Sequence, residues 1–121
     1  MSNRILAVDD STSMRQMVCF TLASAGFEVT EAEDGLVALE IARKQKFDLV
    51  LADVNMPNMD GFSLVRALRG LAEYKFTPML MLTTESTTEK KLEGKAAGAT
   101  GWLVKPFVPE QLISTIKRVL A

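Results

Sequence analysis

Five short apolar runs alternate with five amphipathic stretches along this chain, and that alternation leaves few folds open. The apolar runs lie at 5–8, 27–32, 49–52, 79–82 and 101–104. All are too short for a buried helix; four have the continuous hydrophobicity of a strand covered on both faces, and 27–32, with Glu28, Thr30 and Glu31, is a weaker strand signal. The stretches between them repeat at helical spacing. The first carries Met14, Met17, Val18, Leu22 and Ala25 and stops at Gly26. The second carries Leu36, Val37, Ala38, Leu39 and Ile41, with Arg43, Lys44 and Lys46 at its end, where basic charge suits the helix dipole. The third carries Phe62, Val65, Leu68 and Leu71. The fourth, 87–97, is polar: Leu92 is its one large apolar residue and Gly94 interrupts it, so it predicts a thinly anchored helix. The last carries Leu112, Ile113, Ile116, Val119 and Leu120 and has Pro109 near its start.

A strand–helix unit repeated five times predicts an α/β fold, a five-stranded parallel sheet doubly wound with helices on both faces. The connections are short and no linker is visible, so 1–121 is expected to be one domain with no output domain. The 121 residues, 48% hydrophobic, suffice for a real core.

Charge narrows the function. Fourteen basic residues against fifteen acidic ones leave a net charge of −1, with no basic excess of the kind nucleic-acid binders carry. There is no histidine, which removes Ser-His and Cys-His catalysis and imidazole-based zinc sites. Cys19 is the single cysteine, so no internal disulfide can form; it reads as a small buried residue. This usage fits a reducing, cytoplasmic setting. The N-terminus has no apolar stretch of signal-peptide length, and no run approaches the roughly 18 residues of a membrane span.

In open parallel sheets, ligands sit beyond the carboxyl ends of the strands, where strand order reverses. The first run delivers Asp9 and Asp10 there, the third Asp53, the fourth Thr83 and Thr84, the fifth Lys105 and Pro106. With strand order 2-1-3-4-5, the first and third strands are neighbours, and three carboxylates meet in one pocket. They would repel, and some would protonate unless a cation is supplied. A hard divalent ion with oxygen ligands, Mg²⁺, fits such a donor set. Lys105 and Thr83 add an ammonium and a hydroxyl. Together these groups suit a phosphoryl group, with a carboxylate as nucleophile. Singly, each residue has a plainer explanation. Asp9 and Asp10 could cap the first helix, as could Ser11 or Thr12. The segment 55–61 could be only a turn, Thr83 a structural hydroxyl, and Lys105 a side chain reaching to solvent. Their convergence on one sheet edge is what favours a site.

The segments "ILAVDDS", "DLVLADVNMPNMDGF", "MLMLTTE" and "GWLVKPF" resemble the receiver domains of two-component response regulators over the whole chain. The likeness is strongest to the single-domain chemotaxis members. It implies a flavodoxin-like receiver fold in which Asp53 is the phosphoacceptor. Asp10, Asp53 and the backbone carbonyl of Asn55 would ligate Mg²⁺, with Asp9 acting mainly through a metal-bound water. Thr83 and Lys105 would bind phosphoryl oxygens, and the Lys105–Pro106 bond would be cis. Asn55 and Glu85 would set the hydrolysis rate and imply a phosphoryl group lasting seconds to minutes. The implied donor is a phosphohistidine on a sensor histidine kinase (CheA-like) or a small phosphodonor. The implied output is protein contact by a monomer, a flagellar motor switch protein being favoured. A phosphate sink or a phosphorelay intermediate comes next.

Trp102 departs from the family, whose switch aromatic is commonly Tyr or Phe. It is either a switch ring coupled to Thr83 or a half-buried edge-strand aromatic packing on the last two helices. Met14, Met17, Met79 and Met81 read as packing residues, and Met56 and Met59 as neighbours of the pocket. Lys90, Lys91 and Lys95 are either a solvated face or part of a partner surface with the Trp102 strand and the last helix. An enzymatic alternative is a small Mg²⁺-dependent phosphohydrolase with an aspartyl nucleophile, but 53–55 read Asp-Val-Asn rather than D-x-D and no cap is present. A flavodoxin-like cofactor binder would need a phosphate-cradling loop where this chain has "DDSTS".

Overall fold

A computed structural model describes residues 3–83, 88–105 and 108–120. Strands β1 (Arg4–Val8), β2 (Glu28–Ala32), β3 (Leu49–Asp53), β4 (Met79–Thr83) and β5 (Gly101–Val104) alternate with helices α1 (Thr12–Ser24), α2 (Gly35–Lys44), α3 (Gly61–Arg69), α4 (Thr88–Ala97) and α5 (Pro109–Leu120). A 3-10 turn covers Ala72–Tyr74. All pairings are parallel and the order is β2-β1-β3-β4-β5, as the strand-end argument required. β3 and β4 are buried at every position, which is why their sequences are apolar throughout and do not alternate. Among the described residues, no helix is long and apolar enough to cross a membrane.

The two faces of the sheet carry separate cores. Leu6, Val8, Val50, Ala52, Met79 and Met81 face α2, α3 and α4. Ile5, Ala7, Leu49, Leu51, Leu80 and Leu82 face α1 and α5. Of the four methionines read as packing residues, Met79 and Met81 are fully buried, Met14 is half-buried, and Met17 is 48% exposed. Leu36, placed on the inner face of α2 by spacing, is also half exposed. Cys19 is half-buried rather than buried; burial, then the nearby Glu31 carboxylate, pushes its thiol up to about 11.

α4 is held differently from the prediction. Leu92, its one large apolar residue, is 61% exposed, and the buried positions are Gly94 and Ala97. Gly94 is buried because Trp102 lies directly beneath it. A Cβ on Gly94 would come within 2.8 Å of the indole Cζ3 and 3.2 Å of the Phe62 ring. The indole stacks on Phe62 with ring centroids 6.2 Å apart and planes at 27°. Trp102 is thus half-buried on an edge strand, but its packing partners lie on α3 and α4 and not on α4 and α5. Its Nε1–H is buried with no acceptor among the described residues.

This notch makes a prediction whose sign depends on context. Elsewhere in a helix, Gly→Ala gains about 1 kcal/mol. Here the methyl must displace a packed ring, so Gly94→Ala is expected to destabilise by about 1–2 kcal/mol and to red-shift Trp102 fluorescence. In a Trp102→Val background the same change should instead stabilise. Urea titrations of the four proteins decide it. A Gly94→Ala protein more stable than the parent, with Trp102 in place, would remove the notch.

Candidate functional site

The site begins with what the first helix does not need. Ser11 is the N-cap of α1, its hydroxyl accepting the Met14 N–H at 3.3 Å. Helix capping therefore does not consume Asp9 or Asp10. Asp9 follows β1, is buried, and accepts the Ser11 N–H at 2.9 Å through one oxygen. Asp10 beside it is exposed. Asp53 ends β3 and is buried. One carboxylate oxygen from each of Asp9, Asp10 and Asp53 lies within 4.8 Å of the others. The neighbouring strands β1 and β3, at the point where strand order reverses, place them there.

Lys105, just past β5, reaches back into this group. Its ammonium donates to Asp9 Oδ2 at 3.0 Å and lies 3.3 Å from Asp53 Oδ1. Its own N–H donates to the Thr83 carbonyl at 2.7 Å, which continues the β4–β5 ladder and fixes where the side chain starts. Lys105 therefore does not run to solvent. Thr83 closes β4 and is buried at 1% exposure. Asp53, Thr83, Asp9 and Lys105 thus come together at one edge, with Asp10 at the rim.

The electrostatics are those of three carboxylates facing one ammonium. Burial pushes the Asp53 carboxyl above its ordinary value; Lys105 pulls it back, and Asp9 and Asp10 push it further up. For Lys105, burial works against the charge, but the hydrogen bond to Asp9 and the charges of Asp53 and Asp9 outweigh it, and the ammonium is held above its usual range. The pocket wants more positive charge than the chain provides. A donor set of clustered carboxylate oxygens without nitrogen or sulfur suits a hard divalent cation.

The loop after Asp53 is built to turn sharply away. Gly61 N–H donates to the Val54 carbonyl at 2.9 Å, and a Cβ on Gly61 would meet the Asp53 carbonyl oxygen at 2.3 Å. Asp60 then caps α3 through the Ser63 N–H at 2.8 Å. Asn55 is exposed in this loop, and Met56 and Met59 pack on the α2–α3 core. Trp102 pairs with Met81 in register and Thr83 with Val104, so the indole sits one side-chain repeat below Thr83 on the same face of the sheet. Glu85, Thr84 and Pro106 lie outside the described residues.

On the outer side of β5, Lys91, Lys95, Ala99, Thr100, Gly101 and Trp102 line a groove of about 230 Å³. Lys91 and Lys95 are exposed there, whereas Lys90 lies over the Phe62 ring at 5.9 Å.

Two residues that support this geometry escaped the sequence, and the packing role of a third did. Asp34 precedes Gly35 at the start of an apolar helix, an N-cap signature that could have been read. Arg69 acts through distant partners and leaves no local signal, and Gly94 reads locally only as an interruption of its helix.

Residues 5–117 match the family model described as response regulator receiver domain. The chain is 41% identical over 117 residues to chemotaxis protein CheY-3 of Vibrio cholerae, covering 96% of this chain and 90% of that protein. It superposes on the solved structure of V. cholerae chemotaxis protein CheY4 with a TM-score of 0.96 at 60% identity, over 98% of this chain and 99% of that one. It superposes on the receiver domain of the Pseudomonas aeruginosa sensor histidine kinase PA1611 with a TM-score of 0.92 at 28% identity, over 99% and 98% of the two chains. In that structure a magnesium ion is coordinated in the active-site cleft. With five parallel strands delivering two adjacent acids, a third acid, a threonine and a lysine to one edge, and a family match from the first strand to the last helix, this chain belongs to the response regulator receiver domains, the phosphorylation-activated switches of two-component systems.

Proposed function

We propose that Asp53 accepts a phosphoryl group from a phosphohistidine of a sensor kinase, CheA-like, or from a small phosphodonor. The observation that carries this is the buried Asp53 carboxylate, which shares its pocket with one ammonium and two further acids. A carboxylate oxygen of Asp53 forms the new bond to phosphorus as the bond from phosphorus to the donor nitrogen or oxygen breaks, the electron pair leaving with the donor. Lys105 is placed to take charge from the phosphoryl oxygens as it leaves its ion pair with Asp53, keeping Asp9 as its anchor. The Thr83 hydroxyl, at the end of the adjacent strand, supplies a second donor. Asp10, Asp53 and the Asn55 carbonyl would hold Mg²⁺, with Asp9 as an outer partner. Bound Mg²⁺ supplies the positive charge that a phosphoryl group and three carboxylates require together. Asn55 and Glu85 would govern attack by water and make the phosphorylated form short-lived. The chain thereby assists its own phosphorylation and dephosphorylation without being an enzyme on a separate substrate.

The output reading follows the chemotaxis relatives. The chain is similar to CheY-3 over 96% of its length, which supports a receiver domain that signals by protein contact; a cytoplasmic monomer is the form we propose. A flagellar motor switch protein is the favoured target, with a phosphate sink or relay role as the second reading. The test is phosphoryl uptake from a small phosphodonor with Mg²⁺, followed by capture on motor-switch peptides with and without donor. Uptake with phosphorylation-dependent capture is expected. Uptake without capture would move the assignment to the sink or relay. Turnover of small phosphate esters would favour the phosphohydrolase alternative.

A further inference from the structure

The loop between Asp53 and α3 is tied from outside the pocket, by a residue on a different element. Asp34 is buried at the start of α2 and uses its two oxygens separately. Oδ1 accepts the Val37 N–H at 3.0 Å and caps α2. Oδ2 accepts the Asn58 side-chain amide at 2.9 Å across 24 positions of sequence. Asn58 has φ = +67°, and among the described residues it is the only non-glycine with positive φ. A non-glycine residue pays for that conformation unless something holds it there, and asparagine is one of the few that tolerates it.

The surroundings show the same tie. Gly35, next to Asp34, packs so closely on the loop that a Cβ would come within 2.6 Å of the Met59 carbonyl oxygen. Within the loop, Met59 N–H donates to Pro57 O at 2.7 Å and Gly61 N–H to Val54 O at 2.9 Å. These close the loop on itself, and the described contact that ties its tip to α2 by a side chain is Asp34–Asn58. Both hydrogen bonds, first that from Val37 and then that from Asn58, hold the Asp34 carboxyl below its ordinary value, so it acts as an anion under working conditions.

We propose that Asp34 is a positioning residue for the phosphorylation pocket, acting through Asn58 on the loop that carries Asn55. This rests on the assignment of Asp53 and the Asn55 carbonyl to the Mg²⁺ site. Asp34 touches none of the reacting groups. It fixes the backbone between Val54 and Gly61, and so fixes where the Asn55 carbonyl and side chain stand relative to Asp53. A loop freed at its tip samples several arrangements, and only some leave that carbonyl available to a cation.

Three substitutions separate this role from simple helix capping. Asp34→Ser keeps an acceptor for the Val37 N–H but cannot reach Asn58. Asn58→Gly keeps the left-handed turn but removes the amide. Asp34→Asn keeps the cap and can still pair with Asn58 once that amide turns over to present its oxygen. Two readouts are needed. Amide exchange in metal-free protein should be about tenfold faster at Met59 and Gly61 in Asp34→Ser and Asn58→Gly, unchanged at Val37 in Asp34→Ser, and near the parent value throughout in Asp34→Asn. Mg²⁺ titration by calorimetry should show about tenfold weaker binding in the first two proteins and recovery in the third. The double change Asp34→Ser with Asn58→Gly should be no worse than either alone. Faster loop exchange with unchanged Mg²⁺ affinity overturns the positioning role, and unchanged exchange in both single variants overturns the tie itself. If the parent protein binds no Mg²⁺, the assignment of the metal site falls, and the exchange pattern alone still decides whether Asp34 holds the loop.

Discussion

Asp53→Asn is expected to abolish phosphoryl uptake, at least about a thousand-fold below the parent protein, while leaving the fold intact and slightly more stable. The loss follows from chemistry. A carboxamide has the shape of the carboxylate but no anionic oxygen to attack phosphorus. The gain in stability follows from the electrostatics of the pocket. Asp53 is buried beside two other acids, and even with Lys105 at 3.3 Å the balance favours its neutral form relative to water. An amide reproduces that neutral form, and Lys105 keeps its bond to Asp9 at 3.0 Å. Relieving charge at a functional site is commonly worth about 0.5–2 kcal/mol. Intact-mass measurement after exposure to a small phosphodonor reads the first effect, and urea denaturation reads the second. Uptake at the parent level would place the acceptor elsewhere, with Asp10, the exposed acid at the rim, as the first residue to examine. A marked loss of stability would mean that the Lys105–Asp53 pair supports the fold, and that the pocket is less strained than its charges imply.

What could be read from the sequence, and what could not, divides along the range of the interactions. The strands and the strand-end positions of Asp9, Asp10, Asp53, Thr83 and Lys105 follow from local patterns: an apolar run fixes a strand, and its last residues fix what the sheet edge presents. The order of the strands does not; from sequence it is a condition for the acids to meet, matched by the family resemblance. The plainer explanation of Asp9 and Asp10 as caps could not be excluded from sequence, because Ser11 and the acids are equally able to cap; only the Ser11–Met14 hydrogen bond separates them. Leu92 misled because in an amphipathic helix a lone leucine is normally the anchor. α4 is attached instead by the absence of a side chain at Gly94, which admits the Trp102 ring. Close approach of this kind writes no periodic pattern. The same holds for Asp34 and Asn58, which look like a cap and a turn residue until their 2.9 Å contact is seen.

Arg69→Met is expected to be the most damaging substitution outside the two cores, costing about 3 kcal/mol. Arg69 is the last residue of α3, and its guanidinium has no carboxylate partner among the described residues. It spends its donors mainly on backbone oxygens, with the Thr100 hydroxyl a longer contact at 3.4 Å. Nε and Nη2 both reach the Gly98 carbonyl, at 3.0 and 2.8 Å. Nη1 reaches the carbonyls of Tyr74 at 2.8 Å and Thr77 at 2.7 Å. Four segments therefore meet on one side chain: the end of α3, the 3-10 turn, the lead into β4 and the end of α4. Gly98 turns the chain after α4 with φ = +109°, and a Cβ there would come within 3.0 Å of Arg69 Cγ, so glycine serves both the turn and the contact. Hydrogen bonds from a charged donor contribute about 1.5–3 kcal/mol each but are not additive within one network, which sets the estimate. Methionine keeps most of the volume and leaves the carbonyls without their donor. Arg69→Lys should recover less than half of the loss, because one ammonium cannot span the Gly98 and Thr77 sides together. Urea midpoints give the magnitudes, and amide exchange gives the location: Gly98 and Ala99, whose N–H groups donate back to Gly94 and Lys95, should open first. An Arg69→Met protein within about 0.5 kcal/mol of the parent would show that water replaces the guanidinium without cost. Arg69 fixes the far end of α4, and Trp102 fills the space under its middle. A substitution that displaces the indole is therefore expected to tilt the helix about a point that stays attached to α3.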